Sequence, residues 1–325
     1  MRSSIAVVIC TRNRPQLIGA CLDAVLACRP QPTEIVVVDQ SDNEQTAQVI
    51  AARGNDLVRV VSSAPLGLSA ARNLGIQHTS APLIAFTDDD CIVDVNWVGA
   101  AAAEFDAEPS VRGVFGRVLP YTEGEALGRE RPIGVKESMA REIFTWPTNP
   151  WRLGHGANMV YRRAVFDNVG MFDVLLSPGG ALYNCDDADM SYRVLQSGGT
   201  IVYAPSALVY HRQWRLGKAI WRLERTYNLG AGALYIKHLR YRDGFMFRLM
   251  YDRLWTVGLE HIFLGLLQRN PGRVKLGVYR VVYTLLGMIL GLKYRLEQPY
   301  RRYQAAPEMT TPNPRYADRP EASKI

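Results

Sequence analysis

The apolar positions of the first hundred residues follow two alternating rhythms. Short apolar runs at Ile5 to Cys10, Glu34 to Asp39, Leu57 to Val61 and Leu83 to Phe86 are too brief for helices, and Ile35-Val36-Val37-Val38 within the second is continuous and β-branched. They predict buried strands of the parallel type. Stretches with helical spacing lie between them, at Pro15 to Cys28, Glu44 to Arg53 and Leu68 to His78. Pro15 suits a first helical turn. The resulting βαβαβαβ order predicts an α/β fold, a mostly parallel Rossmann-like sheet flanked by helices. Such sheets bind ligands beyond the C-terminal ends of their strands. Polar residues collect at those points: Thr11-Arg12-Asn13, Asp39 to Asp42, and Asp88 to Asp90.

Further along, Val95 to Glu108 reads as a helix and Val111 to Val118 as a strand. Pro120 to Pro150 has no period and is rich in Gly, Pro and charge, which predicts a mobile excursion over a site. Asn158 to Tyr161 reads as a strand, Arg163 to Val169 and Asp186 to Gln196 as helices, and Thr200 to Tyr203 and Ala207 to Tyr210 as β-like. After His211 the texture changes to three helical stretches, near 217–241, 245–268 and 272–296, mixing large apolar residues with Arg and Lys. The run from Leu276 to Leu292 falls just short of the roughly 20 apolar residues a spanning helix needs, and Arg280 interrupts it. The pattern predicts helices lying in a membrane interface with basic residues against lipid headgroups. The alternative is a basic bundle packed on the catalytic core or on a second subunit. From Gln304 the composition is that of a disordered tail. The domain expectation is a catalytic domain at 1–215, a helical region at 216–303 and a tail at 304–325.

The charge distribution sharpens this picture. The 325-residue chain carries a formal +7, but residues 211–302 hold 18 Lys/Arg against 5 Asp/Glu, so the rest is net acidic. A basic back half suits an anionic lipid surface or a phosphorylated substrate. No nucleic-acid motif accompanies it, and the basic residues alternate with long apolar ones, so nucleic acid is not an expected partner. The five cysteines are odd in number and lack a Cys-x-x-Cys pair, which predicts buried thiols rather than disulfides or zinc. The apolar start is too short for a signal peptide, so the expected location is cytoplasmic, peripheral at the membrane face.

Chemistry concentrates in Asp88-Asp89-Asp90. In an extended segment, residues 88 and 90 point to the same side. Two carboxylates there suit a hard cation such as Mg²⁺ or Mn²⁺, whereas a lone triplet reads equally well as a solvated turn. The triplet has company, and together the motifs resemble glycosyltransferase family 2, with its GT-A fold. The resemblance covers about residues 4 to 213. It rests on Val7-Val8-Ile9-Cys10-Thr11-Arg12-Asn13-Arg14-Pro15, Glu34-Ile35-Val36-Val37-Val38-Asp39-Gln40-Ser41-Asp42, Gly67-Leu68-Ser69-Ala70-Ala71-Arg72-Asn73-Leu74-Gly75, Phe86-Thr87-Asp88-Asp89-Asp90 and Cys185-Asp186-Asp187-Ala188-Asp189-Met190-Ser191-Tyr192-Arg193, in the family's order.

The resemblance implies an inverting, metal-dependent glycosyltransferase that takes a nucleotide-sugar donor to a hydroxyl of a glycan or polyprenyl-linked acceptor. Asp90 and Asp88 match the metal and ribose ligands, with Asp89 near the ribose and base. His211 is either an added imidazole metal ligand or a strand-end histidine bonded to the core. Thr11, Asp39 and Arg72 match nucleoside contacts. A carboxylate at 39 can accept the imide N–H of uracil or thymine, favouring UDP or dTDP. Arg12, Asn13 and Arg14 border the diphosphate position. Asp187 matches the general base that takes the acceptor's proton. Asp186 stands where Glu is common and Cys185 where Gly is common. His155 and Asn158, with Trp151, match the segment shaping the sugar and acceptor pocket. Trp97 and Trp146 read as packing, and Asp189 as the i+4 partner of Arg193. Gln213-Trp214-Arg215 departs from the Gln-x-x-Arg-Trp order of processive synthases, which predicts addition of one or a few sugars. Two other classes compete: a nucleotidyltransferase, which needs a glycine-rich triphosphate loop that 11–15 lacks, and a non-catalytic membrane scaffold, against which the intact aspartates argue. A homo-oligomer through the C-terminal helices stays open.

Overall fold

The computed structural model describes residues 3–121, 134–212 and 218–305. The chain divides into two compact units.

The first unit takes in the described residues up to Phe172 and those from Met190 to 212. Its four opening strands are β1 (Ile5–Thr11), β2 (Glu34–Asp39), β3 (Val58–Ser62) and β4 (Leu83–Asp88). They are separated by α1 (Pro15–Leu26), α2 (Gln45–Ala51) and α3 (Leu68–Gln77). Then come β5 (Cys91–Val93), α4 (Trp97–Ala107), β6 (Val111–Tyr121), β7 (Glu142–Phe144), β8 (Met159–Arg162), α5 (Ala164–Val169), the body of α6 (Asp186–Gln196) and β9 (Thr200–Arg212). The sheet runs β3-β2-β1-β4-β8-β6-β9-β5, with β7 also on β9. The first four strands are mutually parallel, in keeping with the apolar runs of β1, β2 and β4, while β8 is antiparallel to β4 and β6. Both faces are covered. One buries Ile5, Val7, Ile9, Ile35, Val37 and Trp97, the other Val8, Phe86, Phe115, Met159 and Tyr203.

Chain order reverses between β1 and β4, the topological switch point where sheets of this kind leave a crevice. The register sets Thr11 beside Asp39 and Cys10 beside Asp88, so three expected site residues end adjacent strands.

Three expectations change. The strands at 200–203 and 207–210 are one long strand, β9, which absorbs the irregularity as a shift in its pairing with β6. Strand β5 went unread because three residues show no alternation. Within the expected excursion at 120–150, the described residues from 134 onward pair with the sheet: β7 pairs with β9 and Lys136 bridges Val118. Residues 122–133 of that segment, Gln213-Trp214-Arg215 and the tail from 306 lie outside the described residues.

The second unit comprises residues 173–189 and the described residues from 218 to 305. It holds the first turn of α6, then α7 (Lys218–Leu239), α8 (Gly244–Arg253), a π-helical stretch (Leu254–Leu259), α9 (Glu260–Leu267) and α10 (Pro271–Leu292). A small hairpin of β10 (Leu296–Glu297) and β11 (Arg302–Tyr303) closes it. The Asp243 carboxylate caps α8 by accepting from the Phe245 and Met246 amides, and Asn270 caps α10 by accepting from the Arg273 amide. By length and composition α10 could cross a membrane, and 22% of its most apolar stretch is buried. Lys237 is fully buried between Asp173, at 3.0 Å, and Asp189. His238 Nε2 lies 3.2 Å from the same Asp189 oxygen. Asp189 is thus tied to α7. The Arg193 guanidinium donates to the Val169, Gly170 and Met171 carbonyls.

Candidate active site

The C-terminal edge of β1, β2 and β4 carries a connected polar layer. Asp88 ends β4 and is half-buried. Its Oδ1 accepts from Arg72 Nη2 at 3.3 Å, and the same nitrogen donates to the Gly156 carbonyl at 3.2 Å. Arg72 is itself buried and lies 5.7 Å from the Phe172 ring centroid. Strand geometry stops at Asp88, so Asp89 and Asp90 belong to the turn before β5 and the two-residue alternation does not govern them. Asp89 points into the protein: Oδ2 accepts from Thr11 Oγ1 at 2.8 Å and Oδ1 from Arg14 Nη1 at 2.8 Å. Burial pushes its pKa up to about 6, against the opposing pull of the Arg14 charge. Thr11 and Asp89, both expected to face substrate, are therefore bonded to each other in the layer beneath.

Asp90 is buried as well. Its Oδ1 lies 3.4 Å from His211 Nε2, its Oδ2 lies 3.6 Å from Arg14 Nη1, and Cys91 Sγ is 3.9 Å from Oδ1. The β5–β9 register sets Cys91 beside His211, and the Arg212 amide donates to the Asp90 carbonyl at 3.0 Å. Among the described residues, Asp90, Cys91 and His211 form the grouping that could hold a metal, their ligand atoms all within 4.8 Å of one another. The set fits a hard divalent ion through one carboxylate oxygen and one imidazole nitrogen. Burial, reinforced by Asp88 and Asp90, pushes the Cys91 thiol well above its usual range, and a soft sulfur donor suits a hard cation less well than the carboxylate does. The Asp90–His211 pair was legible as two separate candidates; Cys91 between them was not, because its spacing matches no ligand motif.

The neighbouring loops are locked to each other. Asn13 takes a positive φ of 55°, which Asn tolerates. Its amide Nδ2 donates to Asp42 Oδ2 at 2.7 Å, and its Oδ1 accepts from the Asp42 amide at 2.9 Å. Arg12 is exposed and 3.8 Å from Asp42. Asp39 Oδ1 accepts from the Ser41 amide at 2.9 Å, the turn geometry its residue type favours. Arg14, barely weighted by its place in the sequence, lies against Asp89 and Asp90, while Arg72 pairs with Asp88.

Two residues of the expected sugar pocket do other work. Asn158 is 1% exposed; its Oδ1 accepts from Trp97 Nε1 at 2.8 Å and its Nδ2 donates to the Arg117 and Ala207 carbonyls. An amide so bonded braces the sheet rather than greeting a ligand. His155 Nε2 is 3.1 Å from the Val135 carbonyl, which ties its loop to the segment before β7.

In the second unit, Asp186 and Asp187 open α6. Asp186 is buried, while Asp187 is half-buried and its Oδ1 accepts from the Ala188 amide at 2.8 Å. The chain enters this helix through Tyr183 and Cys185 at φ 76° and 83°, a left-handed conformation costly for non-glycine residues. That conformation is a physical reason for the glycine common at this point of the motif.

A Rossmann-like sheet whose switch-point edge bears an acidic cluster is an arrangement that suits the binding of a nucleotide and a cation. The description Glycosyl transferase family 2 matches residues 6–170, half of the chain, and the chain belongs to that family. The glucosyl-dolichyl phosphate glucuronosyltransferase of Haloferax volcanii is 23% identical over 243 residues, 67% of this chain and 74% of the relative. Two solved structures share the GT-A fold. The mannosyltransferase of Pyrobaculum calidifontis in complex with GDP-Man and Mn²⁺ superposes with a TM-score of 0.57 at 14% identity, over 89% of this chain and 88% of that one. GalNAc-T7 with UDP, GalNAc and Mn²⁺ gives 0.51 at 19% identity, over 73% of this chain and half of its own length.

Proposed function

We propose that this protein is an inverting, divalent-metal-dependent glycosyltransferase that moves a sugar from UDP or dTDP to a hydroxyl of a polyprenyl-linked or cell-surface glycan at the cytoplasmic face of the membrane. The observation that carries the reading is the pairing of Asp90, just past β4, with His211, near the end of β9, within the family's motif order. Asp90 and His211 would hold Mg²⁺ or Mn²⁺, and Asp88 would lie beside the ribose. A bound ion there supplies positive charge against the diphosphate as it departs. Asp39 accepts the imide N–H of the pyrimidine. Arg72 fixes the Asp88 carboxylate, and Arg12 and Asn13 line the approach to the phosphates. The acceptor oxygen attacks the anomeric carbon from the face opposite the diphosphate. The bond to the diphosphate breaks with its electron pair, and the acceptor proton passes to the Asp187 carboxylate.

In this reading residues 1–215 are the catalytic domain, 216–303 the membrane-facing helical region and 304–325 a tail. The lipid-linked acceptor is favoured by the Haloferax volcanii relative, named for a dolichyl phosphate substrate. A panel of UDP-, dTDP- and GDP-sugars with Mg²⁺, Mn²⁺ or chelator, read by proton NMR of the product's anomeric centre, tests it. The expected result is metal-dependent turnover of a pyrimidine donor with inverted configuration. A retained configuration, or undiminished turnover in chelator, would reject it.

A further inference from the structure

The large apolar side chains of the second unit are on its outside. On α10, Val278, Val282, Leu285, Ile289 and Leu292 recur every three to four residues on one face, each between 44% and 57% exposed. The opposite face is small: Gly277, Thr284, Gly287 and Gly291 are buried. It packs so closely that a methyl group added to Gly287 would strike the Leu229 carbonyl of α7, and one added to Gly277 would sit 2.7 Å from the Gly258 carbonyl. Small residues at the helix contacts with large apolar ones facing out is the pattern of helices packed in lipid, the reverse of a water-soluble bundle.

A second ridge runs along α8, the π-helical stretch and α9 through Phe247, Tyr251, Trp255, Leu259, Phe263 and Leu266, all exposed. Residues four apart on an α-helix drift by ~40° per step. The wider π-helical turn between Leu254 and Leu259 opposes that drift and returns the lower half of the ridge toward the upper.

Arg280, which argued against burial of this helix in lipid, does not lie on the outward face. Its Nη2 is 2.7 Å from Glu224 Oε1 of α7, and both side chains are largely covered. Charge sits instead at the two ends of α10, with Arg269 and Lys275 exposed at one and Lys293 and Arg295 at the other. Between residues 242 and 295 there are nine Lys/Arg against three Asp/Glu. A helix that is basic at both ends and turns its small face to α7 offers one apolar face flanked by charges that headgroups can hold.

We propose that the outward face of α10 and the α8–α9 ridge are immersed to acyl-chain depth in one leaflet of an anionic bilayer, with the ends of α10 held by the headgroups. This deepens the membrane part of the proposed function and depends on neither the donor nor the catalytic assignments. Immersion differs from headgroup adhesion in its response to salt, because ~1 M salt shortens the Debye length to ~3 Å and strips purely electrostatic contacts.

The test is flotation of the full-length protein with phosphatidylcholine–phosphatidylglycerol vesicles, at low salt and at ~1 M NaCl. Wild type and Asp90→Asn should float equally in both, so that binding is read apart from catalysis. The pair Phe263→Glu and Ile289→Glu, at positions already exposed, should keep its circular dichroism and melting temperature and bind roughly 100-fold more weakly. Trp255 fluorescence should be quenched by chain-brominated lipid, and the quenching should vanish in Trp255→Phe. Release of wild type by salt, full binding by the glutamate pair, or absence of Trp255 quenching would each overturn the proposal. So would a lipid-free dimer that the glutamate pair splits, with no vesicle binding by wild type.

Discussion

Lys237→Met is the substitution that most sharply probes how α6 is held. The Lys237 ammonium has no solvent exposure and lies against two carboxylates, Asp173 and Asp189, both equally buried. The backbone amide of Tyr303 donates to Asp173 Oδ2 at 2.8 Å, and His238 Nε2 approaches Asp189 Oδ1. Methionine fills the volume but leaves two buried carboxylates without their shared cation. Breaking a buried ion pair from one side costs about 3–5 kcal/mol. The amide and imidazole neighbours retain part of the solvation, so the lower half of that range is expected. The assay is urea unfolding followed by far-ultraviolet circular dichroism, with Lys237→Arg and the triple change Asp173→Asn, Asp189→Asn, Lys237→Met alongside. The triple variant should recover at least half of the loss, because no buried charge remains. Asp189 is two residues from Asp187, the proposed base, so on that proposal turnover in Lys237→Met should fall more than donor affinity. A Lys237→Met midpoint indistinguishable from wild type would show that this cluster does not secure the start of α6.

Three other outcomes follow from the same geometry. Burial holds the His238 pKa below its ordinary 6.5, opposed by Asp189 and Asp243 and assisted by Lys237. The unfolded chain therefore binds this proton first as pH drops, and stability present above pH ~6.5 is lost below it, by at most ~1.4 kcal/mol per pH unit. Asp89, raised to about 6, acts in the opposite sense in the same window, so the His238 contribution is read by difference: between pH 7.5 and 5.5 the urea midpoint of His238→Gln should lose less than that of wild type. Trp97→Phe removes the indole hydrogen bond to Asn158 inside the core and should cost about 1–3 kcal/mol in the same unfolding assay, because the amide oxygen is left unsatisfied. Arg72→Met frees Asp88 from its charged partner, an interaction worth about 1.5–3 kcal/mol; donor KM should rise ten- to a hundredfold with a smaller change in kcat.

The sheet was legible because parallel strands buried on both faces leave unbroken apolar runs; β2 and α6 begin and end where the pattern predicts. Short elements left no period: β5 is three residues long, and β7 exists through its pairing with β9. The acidic triplet could be found in the sequence, but its division of labour could not. Asp88 turning to Arg72, Asp89 to Thr11 and Arg14, and Asp90 to His211 depends on where β4 ends and on partners as far as 121 residues away in the chain. Asn158 read as a pocket residue because an amide in a glycine-broken stretch looks available; only the positions of Trp97, Arg117 and Ala207 show it bracing the core. The helical region's basic, apolar character was plain from composition. Its inverted packing was not, since a period locates an apolar face without saying whether glycines or leucines meet the neighbouring helix.

Donor binding and single-turnover transfer, measured side by side in wild type, Asp90→Asn and Asp187→Asn with Mn²⁺ present, test the central assignment most directly. Asp90→Asn should lose the metal-dependent part of donor affinity. Asp187→Asn should bind donor about as well as wild type and transfer ~10²–10⁴-fold more slowly, the range of one general base. Wild-type transfer by Asp187→Asn, or unchanged Mn²⁺-dependent donor binding by Asp90→Asn, would contradict it.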